Sequence, residues 1–162
     1  MKKLNNDIKE AYCSYELGML LRSKGFDCPC KTHFEKSLTS KKNKQDGHYG
    51  PFGWKKGELN IKSDYNTNTS LNNYYNTGKN WAACSRPTLT VCVEWINVNF
   101  GIWIYPRMYT TTKGFKFGVT AVSGFKEGKE YHLTQDYFKT GFSNPHTAIE
   151  KALMVVLTEI IK

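Results

Sequence analysis

The chain has 162 residues, a formal charge of +9 and an aromatic content of 14%. Its length fits a single domain over residues 1–162, long enough to bury about two thirds of the unfolded surface. No apolar run approaches the roughly 18 residues that cross a bilayer, and no apolar stretch follows the basic start, so we expect neither a membrane span nor a signal peptide. We therefore expect a cytoplasmic protein, whose charge favours acidic partners or, in the simpler alternative, serves solubility.

The five cysteines are an odd number without a framework spacing, which favours free thiols in a reducing compartment. Cys28, Cys30 and His33 form the cluster that most resembles a set of metal ligands. A structural zinc site normally has a second pair of ligands at short spacing, and the sequence has none. We therefore expect no metal ion and no other cofactor.

The first firm element is a helix that begins after Ser14. This serine can accept a hydrogen bond from a backbone N–H in the first turn. Gly25 ends the helix, and Phe26 is placed to fold back onto its last turn, as in a Schellman cap. The apolar stripe of the helix consists of Leu17, Leu20 and Leu21.

Between this helix and the middle of the chain, the sequence predicts two short strands and two long loops. The strands lie within residues 31–38 and 59–65, where apolar and aromatic residues alternate with polar ones. Residues 39–58 have the glycine- and lysine-rich composition of a loop. Residues 66–80 are a polar tract of Asn, Thr and Tyr without a helical or strand period, which predicts a second long surface loop.

The middle of the chain predicts a helix that turns directly into a strand. Ser85 is the predicted N-cap, with Pro87 in the first turn, and Gly101 ends the helix in the left-handed conformation. The β-branched and aromatic residues that follow predict a strand over 102–109, which Pro106 makes either an edge strand or a bulged one. The apolar face of the helix consists of Leu89, Cys92, Val93, Ile96 and Phe100.

The last third of the chain predicts an antiparallel meander followed by a helix. Alternation from Phe115 to Ala121 predicts the clearest strand, and residues 130–138 can supply a third. Asn144 caps the final helix, with Pro145 at its first position. Because the apolar face of this helix must be covered, the predicted fold class is α+β: an antiparallel β-meander packed against two or three helices, with long polar loops.

Three segments resemble a known group of proteins. They are Ser14-Tyr-Glu-Leu-Gly-Met-Leu-Leu-Arg-Ser-Lys-Gly-Phe, Arg86-Pro-Thr with the later Glu94-Trp-Ile and Phe100-Gly-Ile-Trp-Ile, and the C-terminal amphipathic helix. In this order they resemble small uncharacterised proteins encoded by bacteriophages and prophages of Bacteroides-type gut bacteria. The resemblance skips residues 35–80, and Trp103 stands where histidine is common in that group. It implies a phage protein that works in the host cytoplasm, and it implies no activity.

No motif in the sequence fixes a reaction. The four histidines are scattered, and neither a Walker-type loop nor a nucleophile elbow occurs. We therefore lean towards a protein that binds a ligand and performs no chemistry. An enzyme whose site is not recognisable from sequence is the third-ranked hypothesis.

Two basic clusters are candidates for binding phosphate. Residues 31–62 hold eight lysines and three acidic residues, interleaved with aromatic rings that can stack on bases; the alternative is a solvated loop. The second cluster joins Arg86, at the start of the central helix, to Arg107 and Lys113 near the turn of the meander, where guanidinium groups suit phosphate; structural salt bridges are the alternative. The predicted ligand-binding residues are Lys41, Lys42, Lys44, Trp54, Lys55, Lys56, Arg86, Trp103, Arg107 and Lys113.

We expect a small basic phage-type protein that engages a phosphate-bearing ligand, either nucleic acid or a nucleotide such as a host-defence signal. The alternative is a protein-interaction or virion-associated module, whose partner would be a host protein, a phage protein or a second copy of the chain.

Overall fold

The structure, a computed structural model, describes residues 10–38, 57–75, 81–112, 114–123, 130–133, 137–138 and 140–161. It divides into two compact units: unit 1 comprises Met1–Cys13 and Thr88–Val155, and unit 2 comprises Ser14–Pro87 and Val156–Lys162. Each unit contains a three-stranded antiparallel sheet together with helices, so the α+β fold class is confirmed. The single-domain assignment stays a prediction. Across the described part of the chain, no helix is long and apolar enough to cross a membrane.

Unit 2 opens with helix α1, Tyr15–Ser23, whose two ends are closed as the sequence predicts. The Ser14 hydroxyl accepts a hydrogen bond from the Leu17 N–H at 3.3 Å. At the other end the Phe26 N–H donates to the Leu21 carbonyl at 3.0 Å, which is the outer bond of a Schellman cap. Leu17, Leu21 and Phe26 are all buried, so the apolar stripe of α1 belongs to the core.

The sheet of unit 2 has the strand order β2-β1-β3. Strand β1 is His33–Ser37, β2 is Leu59–Lys62 and β3 is Trp81–Ser85. The sequence predicts β1 and β2, within residues 31–38 and 59–65, but it does not predict β3. The predicted loop over 39–58 lies outside the described residues, apart from 57 and 58.

Helix α2, Asn68–Tyr75, lies in the tract that the sequence predicts as a loop, so that prediction is wrong for these eight residues. Its first turn is held by hydroxyl groups: the Thr67 N–H donates to Ser70 Oγ at 2.8 Å, and the Ser70 N–H donates to Thr67 Oγ1 at 3.1 Å. The Asp27 carboxylate, distant in sequence, accepts the Thr69 N–H at 2.6 Å and the Thr69 hydroxyl at 2.8 Å. A hydrophobic period does not reveal a helix that depends on such polar contacts.

Unit 1 contains helix α3, Leu89–Phe100, which begins at Thr88 and not at the predicted N-cap Ser85. Ser85 cannot cap this helix because it is the last residue of β3, and its N–H donates to Asn68 Oδ1 at 2.9 Å. The end of the helix is as predicted: Gly101 adopts the left-handed conformation with φ of +66°. The buried side of α3 carries Leu89, Cys92 and Ile96.

The sheet of unit 1 is the predicted antiparallel meander, with strand order β4-β5-β6. Strand β4 is Ile102–Thr111, β5 is Gly114–Ser123 and β6 is Glu130–Tyr131. The pairing of β4 with β5 is continuous from one end to the other, so Pro106 lies in an edge strand without a bulge. The sequence predicts a third strand within 130–138; of the described residues in that range (130–133, 137 and 138), Glu130 and Tyr131 pair with β5, so the strand is shorter than predicted there.

Helix α4, Pro145–Val155, begins as predicted, because Asn144 Oδ1 accepts the His146 N–H at 2.7 Å. It continues into a π-helical turn, Val156–Ile160. Helices α3 and α4 both pack against β4, and α4 also packs against β5. The buried residues of the two strands and α4 form the core of unit 1: Ile102, Ile104, Val119, Ala121, Ala148, Ala152 and Leu153.

Candidate functional site

A row of aromatic and basic side chains lies along one face of β4. Ile102 and Ile104 are each 5% exposed, whereas Trp103 and Tyr105 between and beyond them are 44% and 40% exposed. This alternation arises because successive residues of a strand point to opposite faces of the sheet, and the inward face packs on α3 and α4. The outward face of β4 carries Trp103, Tyr105, Arg107 and Tyr109.

The neighbouring strand adds a second positive charge to this face. Tyr109 lies opposite Lys116 on β5, and Arg107 lies opposite Gly118. Residues directly opposite in an antiparallel pair point to the same face, so Lys116 joins the row while Gly118 contributes no side chain. We call Trp103, Tyr105, Arg107, Tyr109 and Lys116 the β4 aromatic face.

The side chain of Tyr109 lies across β5 instead of standing upright on the sheet. On the edge of β5 away from β4, the Phe117 and Phe142 backbones exchange both hydrogen bonds, at 2.7 and 2.8 Å. Gly141 precedes Phe142, and a Cβ built on Gly141 would overlap the Tyr109 hydroxyl and lie 2.7 Å from Tyr109 Cζ. The ring of Tyr109 therefore spans the width of β5 and ends against a residue that has no side chain.

Unit 2 contains a different polar feature, a buried cluster around His33. Its Nε2 lies 3.0 Å from the Glu35 carboxylate, and its Nδ1 lies 2.6 Å from the Asp64 carboxylate. His33 and Glu35 are buried, whereas most of the Asp64 side chain is exposed. Asn66, which is also buried, donates from Nδ2 to the Cys30 carbonyl at 3.3 Å and to the Asp64 carbonyl at 2.8 Å. These contacts thus connect the segment that follows β2, which contains Asp64 and Asn66, to His33 and Glu35 of β1.

The geometry of this cluster favours a structural role. The Ser85 hydroxyl, which belongs to this cluster, donates to Asn66 Oδ1 at 3.1 Å. A nucleophilic serine needs its hydroxyl on a base, and this one is directed to an amide oxygen. The two carboxylates lie at opposite nitrogens of the His33 ring, and the described residues contain no group of three or more side chains that could hold a metal ion.

The most accessible of the cysteines, Cys28, is not an activated thiol. All five are free, and Cys28 is the least buried of them. Burial raises the pKa of the Cys28 thiol, and the negative charge of Asp27 acts in the same direction. A raised pKa keeps the thiol protonated at neutral pH, whereas a reactive cysteine needs the thiolate.

The predicted ligand-binding residues are distributed over both units. Trp103 and Arg107 lie together on the β4 aromatic face of unit 1. Arg86 lies in unit 2, where its guanidinium Cζ is 5.4 Å from the centre of the Phe34 ring and its backbone N–H donates to the Thr32 carbonyl at 2.9 Å. These contacts assign Arg86 a part in packing. Seven of the predicted residues lie outside the described residues: Lys41, Lys42, Lys44, Trp54, Lys55, Lys56 and Lys113.

Sequence reasoning missed three members of the face: Tyr105, Tyr109 and Lys116. The signal that could have found the two tyrosines is the alternation Trp-x-Tyr-x-Arg-x-Tyr over residues 103–109, which in a strand places all four side chains on one side. Pro106 made this pattern harder to recognise, because a bulge at Pro106 would change which side chains share a face. Lys116 could be found only from the register of β4 against β5.

Comparisons of the chain with protein-family models, with curated protein sequences and with solved structures find no match.

Proposed function

We propose that the β4 aromatic face binds nucleic acid, with bases stacked on its rings and phosphates neutralised by its cationic groups. One observation carries the proposal: the alternation on β4 that places Trp103, Tyr105, Arg107 and Tyr109 on one outward face with three exposed rings. A large aromatic side chain that stays exposed to water does not gain the favourable free energy that burial would contribute to folding. A run of three along one strand, interleaved with arginine, suits a ligand that offers flat rings and negative charge.

Physical magnitudes support this ligand class. Stacking of a base on an aromatic side chain contributes about 1–3 kcal/mol per base, and it tolerates any base because each has a π face. Arg107 and Lys116 add two cations beside the rings, and the whole chain carries +9. Phosphate neutralisation by such groups releases counterions and strengthens binding at low salt.

The test is the binding of fluorescently labelled oligonucleotides to the full chain at two or more salt concentrations. We expect Arg107→Ala to weaken binding. We also expect it to make the negative slope of log K against log salt shallower by about 1, the value for one lost phosphate contact. Lys151→Ala is the matched control, because it removes the same charge from an exposed position on α4. Equal effects of the two variants would attribute binding to the overall charge and would refute a site on β4.

A protein-interaction module is the second candidate, and Met108 favours it. This side chain lies on the opposite face of β4 from the aromatic row and is 63% exposed, where stacked bases would not use it. Exposed methionine and aromatic side chains are typical of protein interfaces. A dimer in light scattering that dissociates on Met108→Lys, together with no oligonucleotide binding at low salt, would establish this alternative. The phage origin that the sequence resemblance implies is compatible with either function and stays a prediction.

A further inference from the structure

We propose that the β4 aromatic face takes single-stranded nucleic acid, with an unpaired base stacked on the ring of Tyr109. The inference rests on the proposed function and adds to it the strandedness of the ligand and the device that orients the ring. That device is a pair of glycines, Gly118 and Gly141, which lie side by side under the path of the Tyr109 side chain.

The position of the glycine pair follows from the strand pairing. The antiparallel bridge between Phe117 and Phe142 places Gly141 beside Gly118 on the same face of the sheet. Neither residue has a side chain, so the ring of Tyr109 can lie across β5 with its hydroxyl against Gly141. Gly118 is buried although its partner across the strands, Arg107, is exposed, which agrees with a ring covering this part of the sheet.

The Tyr109 side chain lies across β5 with its hydroxyl against Gly141, and the residue is 38% exposed, so part of its ring is accessible from solvent. In a duplex the faces of the bases are stacked on one another, and only their edges are open in the grooves. A flat ring can therefore stack on a base only when that base is unpaired.

The spacing of the side chains along the β4 aromatic face also fits a nucleic-acid strand better than a single nucleotide. Alternate residues of a β-strand are separated by about 6.6–6.8 Å, twice the rise per residue. Trp103 and Tyr105 are alternate residues of β4, so their backbone positions have this spacing, and Arg107 separates them from Tyr109. An extended single strand can place successive bases on such a row, whereas a mononucleotide engages one ring.

The first experiment compares oligothymidine of about 12 nucleotides with a duplex of the same length and with thymidine monophosphate, at one salt concentration. We expect the single strand to bind more tightly than either of the others. A duplex that binds as tightly as the single strand would overturn the inference while leaving the proposed function intact. Failure of all three to bind at low salt would refute the proposed function itself.

The second experiment tests the role of the Tyr109 ring. We expect Tyr109→Ala to weaken binding of the single strand about five- to 150-fold, the loss that corresponds to one stacked base. Tyr109→Phe keeps the ring and is expected to retain the affinity. Tyr65→Ala removes an exposed tyrosine from unit 2 and serves as the control. An unchanged affinity of Tyr109→Ala would overturn the inference.

The third experiment tests Gly141 as a positioning residue. A Cβ at Gly141 would overlap the Tyr109 hydroxyl, so Gly141→Ala must displace the ring and is expected to weaken single-strand binding as much as Tyr109→Ala does. Because the effect acts through Tyr109, adding Gly141→Ala to Tyr109→Ala should cost no further affinity. The double variant also lacks the overlapping ring, so it answers the question even if Gly141→Ala alone unfolds. Additive losses would refute the positioning role.

Discussion

At the residue scale, His33 lies in a buried environment with a carboxylate at each ring nitrogen. Its ring bridges the carboxylates of Glu35 and Asp64 inside unit 2, and Glu35 is itself buried. We expect His33→Ala to lower the free energy of unfolding by about 3 kcal/mol, because it removes one partner from buried charged and hydrogen-bonded groups and leaves a cavity. Urea unfolding measures this loss. His146→Ala is the control, since His146 is exposed on α4 and should change stability by less than about 0.5 kcal/mol. A loss below about 1 kcal/mol for His33→Ala would mean that the cluster stabilises little.

The contacts of Asp27 at the N-terminus of α2 make the stability of the fold depend on pH. Burial alone would raise the pKa of its carboxyl group, but hydrogen bonds from the Thr69 N–H and hydroxyl outweigh burial and hold the pKa below its ordinary value of 3.8. A carboxyl group whose pKa is lower in the folded state than in the unfolded state stabilises the fold at pH values above its unfolded-state pKa. This stabilisation is lost as the pH falls through the folded-state pKa.

We therefore expect Asp27→Ala to lower the free energy of unfolding at neutral pH by about 0.5–1 kcal/mol. The value lies at the low end for a helix cap because Asp27 is exposed and screened. The difference from the original protein should shrink as pH falls below about 4. Asp27→Asn keeps an oxygen that can accept the Thr69 N–H, so its loss at neutral pH should be smaller. This loss should also shrink over the same pH range, because the group that titrates is the Asp27 carboxylate of the original protein. Parallel stability curves for Asp27→Ala and the original protein across acid pH would contradict the assignment.

At the scale of elements, the helix that turns into a strand depends on Gly101. Its φ of +66° lies in the left-handed region, where a Cβ is strained. We expect Gly101→Ala to destabilise unit 1 by about 1 kcal/mol, and Gly101→Asn to destabilise it by less. Thermal unfolding followed by circular dichroism measures both. Val98→Ala, at an exposed position of α3, should be neutral or slightly stabilising, because alanine is the better helix former.

The elements that sequence predicts correctly are those whose signals are local. Ser14, Gly101 and Asn144 close their helices with bonds to residues four or fewer positions away. The missed elements, α2 and β3, are held by distant partners: the Arg22 guanidinium donates to the Ala83 carbonyl of β3 and to the Asn72 amide of α2. A local pattern cannot show a bond of this kind, and it placed the N-cap of α3 at Ser85 because it could not show that Ser85 belongs to a strand.

The same limit applies to the candidate site. Trp103 and Arg107 could be selected from residue type and charge, since arginine is rare in this lysine-rich chain. The position of the Tyr109 side chain across β5 could not be predicted, because it depends on a bridge between Phe117 and Phe142 and on Gly141, which precedes Phe142. Residue type therefore selects two members of the candidate site, and strand register is needed to add the others.

At the scale of the whole molecule, the charge of +9 must be divided between a general attraction and specific contacts. The variants Arg107→Ala/Lys116→Ala and Lys55→Ala/Lys56→Ala each remove two positive charges, so each lowers the net charge from +9 to +7. Any attraction that depends only on net charge falls equally in both. A difference between them therefore reports direct contact with the ligand.

We expect Arg107→Ala/Lys116→Ala to make the negative slope of log K against log salt shallower by about 2. The same variant should reduce the quenching of Trp103 fluorescence by a bound single strand. Lys55→Ala/Lys56→Ala should make the slope shallower by up to the same amount, if the basic stretch contacts phosphate as the sequence predicts, but should leave the quenching at saturation unchanged. Quenching is read against Trp103→Phe, which separates this residue from the three other tryptophans. A slope that Arg107→Ala/Lys116→Ala leaves unchanged would remove phosphate binding from β4. A loss confined to Lys55→Ala/Lys56→Ala would transfer it to the lysines of residues 31–62.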